Sequence, residues 1–122
     1  MRYLLLAYGD EKKCKALTDE QMQALGRKCA DLDERLKQTG RLVSSGSLSW
    51  DATTIRPKNG ESVITDGPFI ESHEIVGGFV IIEAHDMNEA LQIAKLHPAA
   101  TLGEHLGWAV EVRPMEACEL LR

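Results

Sequence analysis

Four ionisable side chains fall within one short stretch, TDGPFIESHE, from Thr65 to Glu74: Asp66, Glu71, His73 and Glu74. A positioned carboxylate can serve as a general base, and a histidine exchanges protons near neutral pH. Together they suit proton transfer without a cofactor, the chemistry of a lyase or an isomerase. Asp66 is the candidate catalytic residue, and Phe69, Glu71, His73 and Glu74 are candidate ligand contacts beside it. A purely architectural reading competes. Asp favours turn starts, Gly tolerates unusual dihedrals and Pro fixes the exit of the chain, so Asp66-Gly67-Pro68 also reads as a turn. Glu71 and Glu74, spaced i and i+3, equally suit a solvated face.

Other chemistries lack their residues. The three cysteines, Cys14, Cys29 and Cys118, form no C-x-x-C, and His85, His97 and His105 match no ligand spacing, so neither a metal nor a cofactor is expected. Gly77-Gly78 precedes a strand and lacks the spacing of a phosphate loop; a bulge or a close backbone approach is the expected cause. No G-x-S-x-G nucleophile elbow occurs. The chain of 122 residues carries a net charge of −5, which disfavours a nucleic-acid phosphate backbone as partner. Its apolar share of 43% and charged share of 27% are those of a globular domain. The apolar run in MRYLLLAYGDEKK is too short for a secretory or membrane-spanning segment, so no membrane partner and a cytoplasmic location are expected.

These side chains need a scaffold, and its elements follow from the apolar periodicity. Arg2 to Tyr8 reads as a strand apolar on both faces, hence central. Thr18 and Gln21 form a capping box, and Met22, Leu25, Cys29, Leu32 and Leu36 make one stripe of a helix that Gly40 stops. Arg41 to Leu48 is a weaker strand. A hairpin follows, Thr53–Arg56 and Ser62–Thr65 around Asn59-Gly60, a pair that favours a type I′ turn. Ile75 to Ala84 is a second doubly apolar strand. Asp86 and Glu89 suggest another capping box, opening a helix closed by His97-Pro98. Trp108 to Arg113 is a last, one-sided strand.

The order β-α-β, hairpin, β-α-β is a split βαβ sandwich: an α+β, ferredoxin-like fold with an inserted hairpin. Two helices cover one face of such a sheet. The other face would stand bare, and a second copy packed against it, forming a dimeric α+β barrel, is the economical cover. Tyr8, Glu111 and Arg113 join the candidate ligand contacts as polar groups able to face an enclosed cavity.

DGPFIESHEIVGGF, from Asp66 to Phe79, resembles the signature of the DGPF family, the larger branch of the YCII-related proteins. The opening LLLAYGDE and the closing VEVRP, Val110 to Pro114, resemble that family's first and last strands. The resemblance implies one domain over residues 1–114, a tail over 115–122 and a homodimeric α+β barrel. Related barrels include small lyases and isomerases, and some DGPF members look linked to alternative sigma factors. Two functions are therefore expected as rivals: a small polar metabolite held in the barrel cavity, with acid–base carboxylates, or a regulatory binding module linked to transcription control. Where the family usually has lysine, this chain has His73; where smaller YCII relatives carry a histidine on the first helix, it has Cys29 on an apolar stripe.

Overall fold

The computed structural model of the chain describes residues 1–117. Its main sheet contains β1 (Arg2–Asp10), β2 (Leu42–Ser47), β5 (Glu74–Glu83) and β6 (Ala109–Pro114), in the order β2-β5-β1-β6 with every pair antiparallel. The two doubly apolar strands, β1 and β5, are central, as their patterning requires. β3 (Thr53–Lys58) and β4 (Glu61–Asp66) form a separate hairpin. Asn59 at φ 53° and Gly60 at φ 80° make its left-handed turn. The fold is ferredoxin-like α+β, with the hairpin inserted between the two halves.

The helices are α1 (Glu11–Lys15), α2 (Asp19–Gln38), α3 (Met87–Ala94) and α4 (Pro98–Thr101), with a 3-10 turn at Glu104–Leu106. The first capping box closes in full: Thr18 Oγ1 accepts the Gln21 N–H at 3.1 Å, and Gln21 Oε1 accepts the Thr18 N–H at 2.9 Å. The second closes by half. Asp86 accepts the Glu89 N–H at 2.9 Å, but Glu89 turns its carboxylate to Arg41, 2.8 Å away, and to the His85 N–H. Pro98 holds His97 in extended backbone, and that ends the helical path.

Two local features depart from the apolar pattern. β1 runs on through Gly9 and Asp10, which still pair with Ile75 and Glu74. Asp10 then caps α1 by accepting the Lys13 N–H at 3.2 Å. α1 has no apolar period, so nothing but that cap announces it. The register between β1 and β5 shifts where Ala7 pairs Gly78 and Tyr8 pairs Val76, which places the expected bulge at Gly77.

One face of the sheet carries Tyr3, Leu5, Val80 and Ile82, packed with Leu36 of α2 and with Ala90, Ile93 and Ala94 of α3. Alternation puts Leu4, Leu6, Phe79 and Ile81 on the opposite face, where Leu4 pairs with Ile81 and Leu6 with Phe79. These four stay half-exposed. On the same face, Arg113 lies beside Leu4 and Glu111 beside Leu6.

Candidate functional site

The hairpin and its exit loop carry most of the acidic candidates, and they stand in solvent. Asp66 ends β4, exposed, and its carboxylate makes no hydrogen bond among the described residues. The turn is held instead by the Gly67 N–H on the Ala52 carbonyl, at 2.8 Å, and by the Thr54 hydroxyl on the Gly67 carbonyl, at 2.8 Å. Phe69, Glu71 and His73 are exposed along the following loop. Glu74 opens β5, and with Tyr8 and Trp50 it borders a cleft of 570 Å³ beneath the loop. Glu111 and Arg113 are exposed on the opposite face, which is helix-free among the described residues. The fold thus brings Tyr8 and Glu74 to one cleft and keeps Asp66, Phe69, Glu71 and His73 apart from it.

A larger cleft, 630 Å³, lies between α2 and the sheet. Its cause is local and readable. Much of the floor is made of small residues, Ala7, Gly9, Ser45, Ser47, Gly77 and Gly78, with Leu42 and Val80 beside them. The small residues are too short to rise from the sheet and meet the stripe on α2. Leu36 is buried at the C-terminal end of the helix, but Met22 is 55% exposed and Leu25 and Cys29 are half-buried over the void. A side chain at Gly26 would meet nothing within 4 Å.

Both tryptophans of the chain wall this cleft. A Cβ on Gly9 would lie 3.2 Å from the Trp108 ring and 3.3 Å from the Trp50 ring, so a side chain there would push the indoles away. Gly103, at φ +69°, seats Trp108 from the other side; a Cβ there would overlap the indole.

Several groups on the cleft can exchange protons or donate them, among them His97, Cys29, Asp33, Lys37 and Tyr8. His97 Nδ1 accepts the Ala99 N–H at 3.0 Å. Burial pushes the His97 ring below the ordinary histidine range, and the Asp33 carboxylate works against that shift. Burial, with the same Asp33 charge second, pushes the Cys29 thiol up. Cys29 therefore stays protonated near neutral pH and is a poor nucleophile. Asp33 and Lys37 of α2 supply the charged rim.

Trp50, Trp108, Asp33 and His97 carry no motif, and the spacing of His97 answers only the question of a metal. Their one shared signal is the scarcity of aromatics, 5% of the chain, which makes two tryptophans around a glycine floor noteworthy only once the fold joins them. Among the described residues, no group of three or more His, Cys, Asp or Glu is arranged to hold a metal ion, and no helix is long and apolar enough to cross a membrane.

A single helical layer on a four-stranded antiparallel sheet, with an open cleft under the longer helix, defines a small α+β protein of the ferredoxin-like class. The family model of the YCII-related domain matches residues 1–116, and the chain belongs to that family. It is also similar to an uncharacterized protein of Rhizobium meliloti (strain 1021), 31% identical over 97 residues, which are 78% of this chain and 78% of the relative.

Proposed function

We propose that this YCII-related protein binds a small metabolite in the cleft between α2 and the sheet and acts on it by proton transfer without a cofactor. The observation that carries the reading is the cleft itself: 630 Å³, walled by both tryptophans and floored by glycine, alanine and serine. That volume suits a small organic ligand, and apolar walls with a few converging polar groups are the usual makeup of such sites. Proton-handling groups on hand are His97, Asp33 and Tyr8. Titration of a metabolite library against the fluorescence of Trp50 and Trp108 tests it. A saturable change that is lost when Ser45→Trp fills the floor supports the reading. A library that leaves both tryptophans unmoved refutes it.

Asp66 belongs to this proposal as a base only in an assembly, since its exposed carboxylate borders neither cleft of the single chain. We take the working unit to be a homodimer joined through the helix-free face. Leu4, Leu6, Phe79 and Ile81 give that face an apolar centre, and Glu111 beside Arg113 gives it opposite charges that a two-fold axis can pair across the interface. Leu6→Glu should then convert a dimer to a monomer in sedimentation. If Asp66 is the base, Asp66→Asn abolishes turnover and leaves the melting temperature nearly unchanged; full turnover in that variant removes it from the mechanism.

The regulatory reading draws on a different feature. Ile55 and Ile64 face each other across the hairpin in solvent, and Phe69 and Ile70 on the loop that follows are exposed apolar side chains too. That suits a protein partner. Recovery of a sigma factor with the intact protein, lost on Ile64→Lys, favours this reading; a bait that retains no partner counts against it.

A further inference from the structure

His97 presents a single, fixed chemistry to the cleft. Its Nδ1 is occupied as acceptor of the Ala99 N–H. In the neutral ring the proton therefore sits on Nε2, which can only donate. A second proton would have to go onto Nδ1, nose to nose with the Ala99 N–H, and that hydrogen bond would be lost. The ring is thus held as a neutral donor. No protein acceptor takes the Nε2 hydrogen among the described residues, yet no buried side-chain nitrogen or oxygen there lacks a partner. Nε2 consequently meets solvent, and the void that the ring borders is the cleft.

The surroundings select what such a donor can hold. Asp33 of α2 is near enough for its charge to act on the ring, and an anionic oxygen would meet that carboxylate. Asp33 and Lys37 are both exposed and screened by water, but Asp33 is the one of the two whose charge acts on the His97 ring. A neutral carbonyl oxygen meets no such penalty. Beyond it the walls are the two indoles and Leu25, which suit an apolar or aromatic body.

Resting on the reading of the cleft as a ligand site, the geometry points to His97 as its polar anchor: a neutral imidazole whose Nε2–H donates to the carbonyl oxygen of a small ligand with an apolar or aromatic body. A donor that stays neutral polarises a carbonyl without delivering a full proton. That is the role wanted when a proton is removed from the carbon next to the carbonyl. The anchor needs no second copy of the chain, in contrast to Asp66.

Acetophenone and ethylbenzene test the anchor, because they differ chiefly in a C=O against a CH₂. Binding is read from Trp50 and Trp108 fluorescence, and the tautomer from the ring-nitrogen NMR signals of His97. His97→Asn is the variant of choice: asparagine keeps an acceptor for the Ala99 N–H, since it caps well, but it lacks the reach of Nε2. The expected results are an Nε2–H tautomer, an Nε2–H signal that shifts with acetophenone only, and an acetophenone affinity about fivefold weaker in His97→Asn with ethylbenzene unchanged. Equal loss of both probes, no loss of acetophenone, or a proton on Nδ1 would overturn the anchor while the cleft reading stands. If neither probe perturbs the tryptophans of the unaltered protein, the cleft reading falls and the anchor falls with it.

Discussion

α3 and α2 lie on the same face of the same sheet and meet it in opposite ways. α3 has eight residues and buries Ala90, Ile93 and Ala94. α2 has twenty and buries Leu36 alone. The short helix has two alanines beside Ile93 on its inner face, so its backbone can come close to Tyr3 and Ile82. Arg41 and Glu89 fasten it from the rim at 2.8 Å, a half-exposed pair of modest worth. The long helix carries a good apolar stripe over a floor of glycine, alanine and serine. Amphipathic spacing says which face a helix turns inward. It does not say whether the opposite surface rises to meet it, and here the shortfall is the cleft.

Deleting side chains on the two helices should break the symmetry most visibly. Ile93→Ala, at a site 8% exposed, should cost about 3 kcal/mol in urea unfolding. Met22→Ala on α2, at a site 55% exposed, should cost under about 1 kcal/mol. Equal losses would mean that α2 sits on the sheet as firmly as α3, and that the void beneath it closes in solution. A smaller effect, about 2 kcal/mol, is expected for Gly103→Ala, because alanine must adopt φ +69° and overlap Trp108. Its diagnostic readout is a shifted tryptophan emission, since the change moves a wall of the cleft.

The fold was legible because its signals are local and agree with one another. The capping box at Thr18, the Asn59-Gly60 turn and the two doubly apolar strands each name an element, and their order leaves one simple topology. The site was legible only in part. Asp66 and His73 stand out in a motif, yet a motif concentrates residues along the chain, while a cleft collects them across it. Trp50 comes from a loop, Trp108 from the approach to β6, Asp33 from α2 and His97 from the junction of α3 and α4. Nothing in their spacing links them. The glycines were the nearest clue. Gly77 and Gly78 announced a close approach, but what approaches them, the Trp50 ring in one case and the β2 backbone in the other, is decided by tertiary structure.

Adding a methyl group to α2 sharpens the contrast from the other side. Gly26→Ala should raise stability by about 0.5–1 kcal/mol, the helix-propensity gain, because no atom lies within 4 Å of the new Cβ. The same change in a helix seated on a sheet would force a clash. A loss of stability on thermal unfolding would therefore contradict the raised position of α2.

The last handle is one proton at the junction of the two helical segments. Burial lowers the folded-state pKa of His97, so the unfolded chain binds a proton more readily than the folded one between the two values. The sign follows: stability is complete above the unfolded value, about 6.5, and is lost as pH falls through the lowered folded value. Cys29 stays neutral throughout that range, and Asp33 opposes the shift without reversing it. Glu83 begins to lose its contribution at a more acidic pH than His97 does. There the Arg2 hydrogen bond holds the carboxylate below its ordinary range, and protonation removes the benefit. Urea midpoints measured from pH 7.5 downward should therefore decline in two stages. His97→Asn should erase the first and leave the second. A first stage that survives the substitution would assign it to another group and separate the cleft's histidine from the protein's acid response.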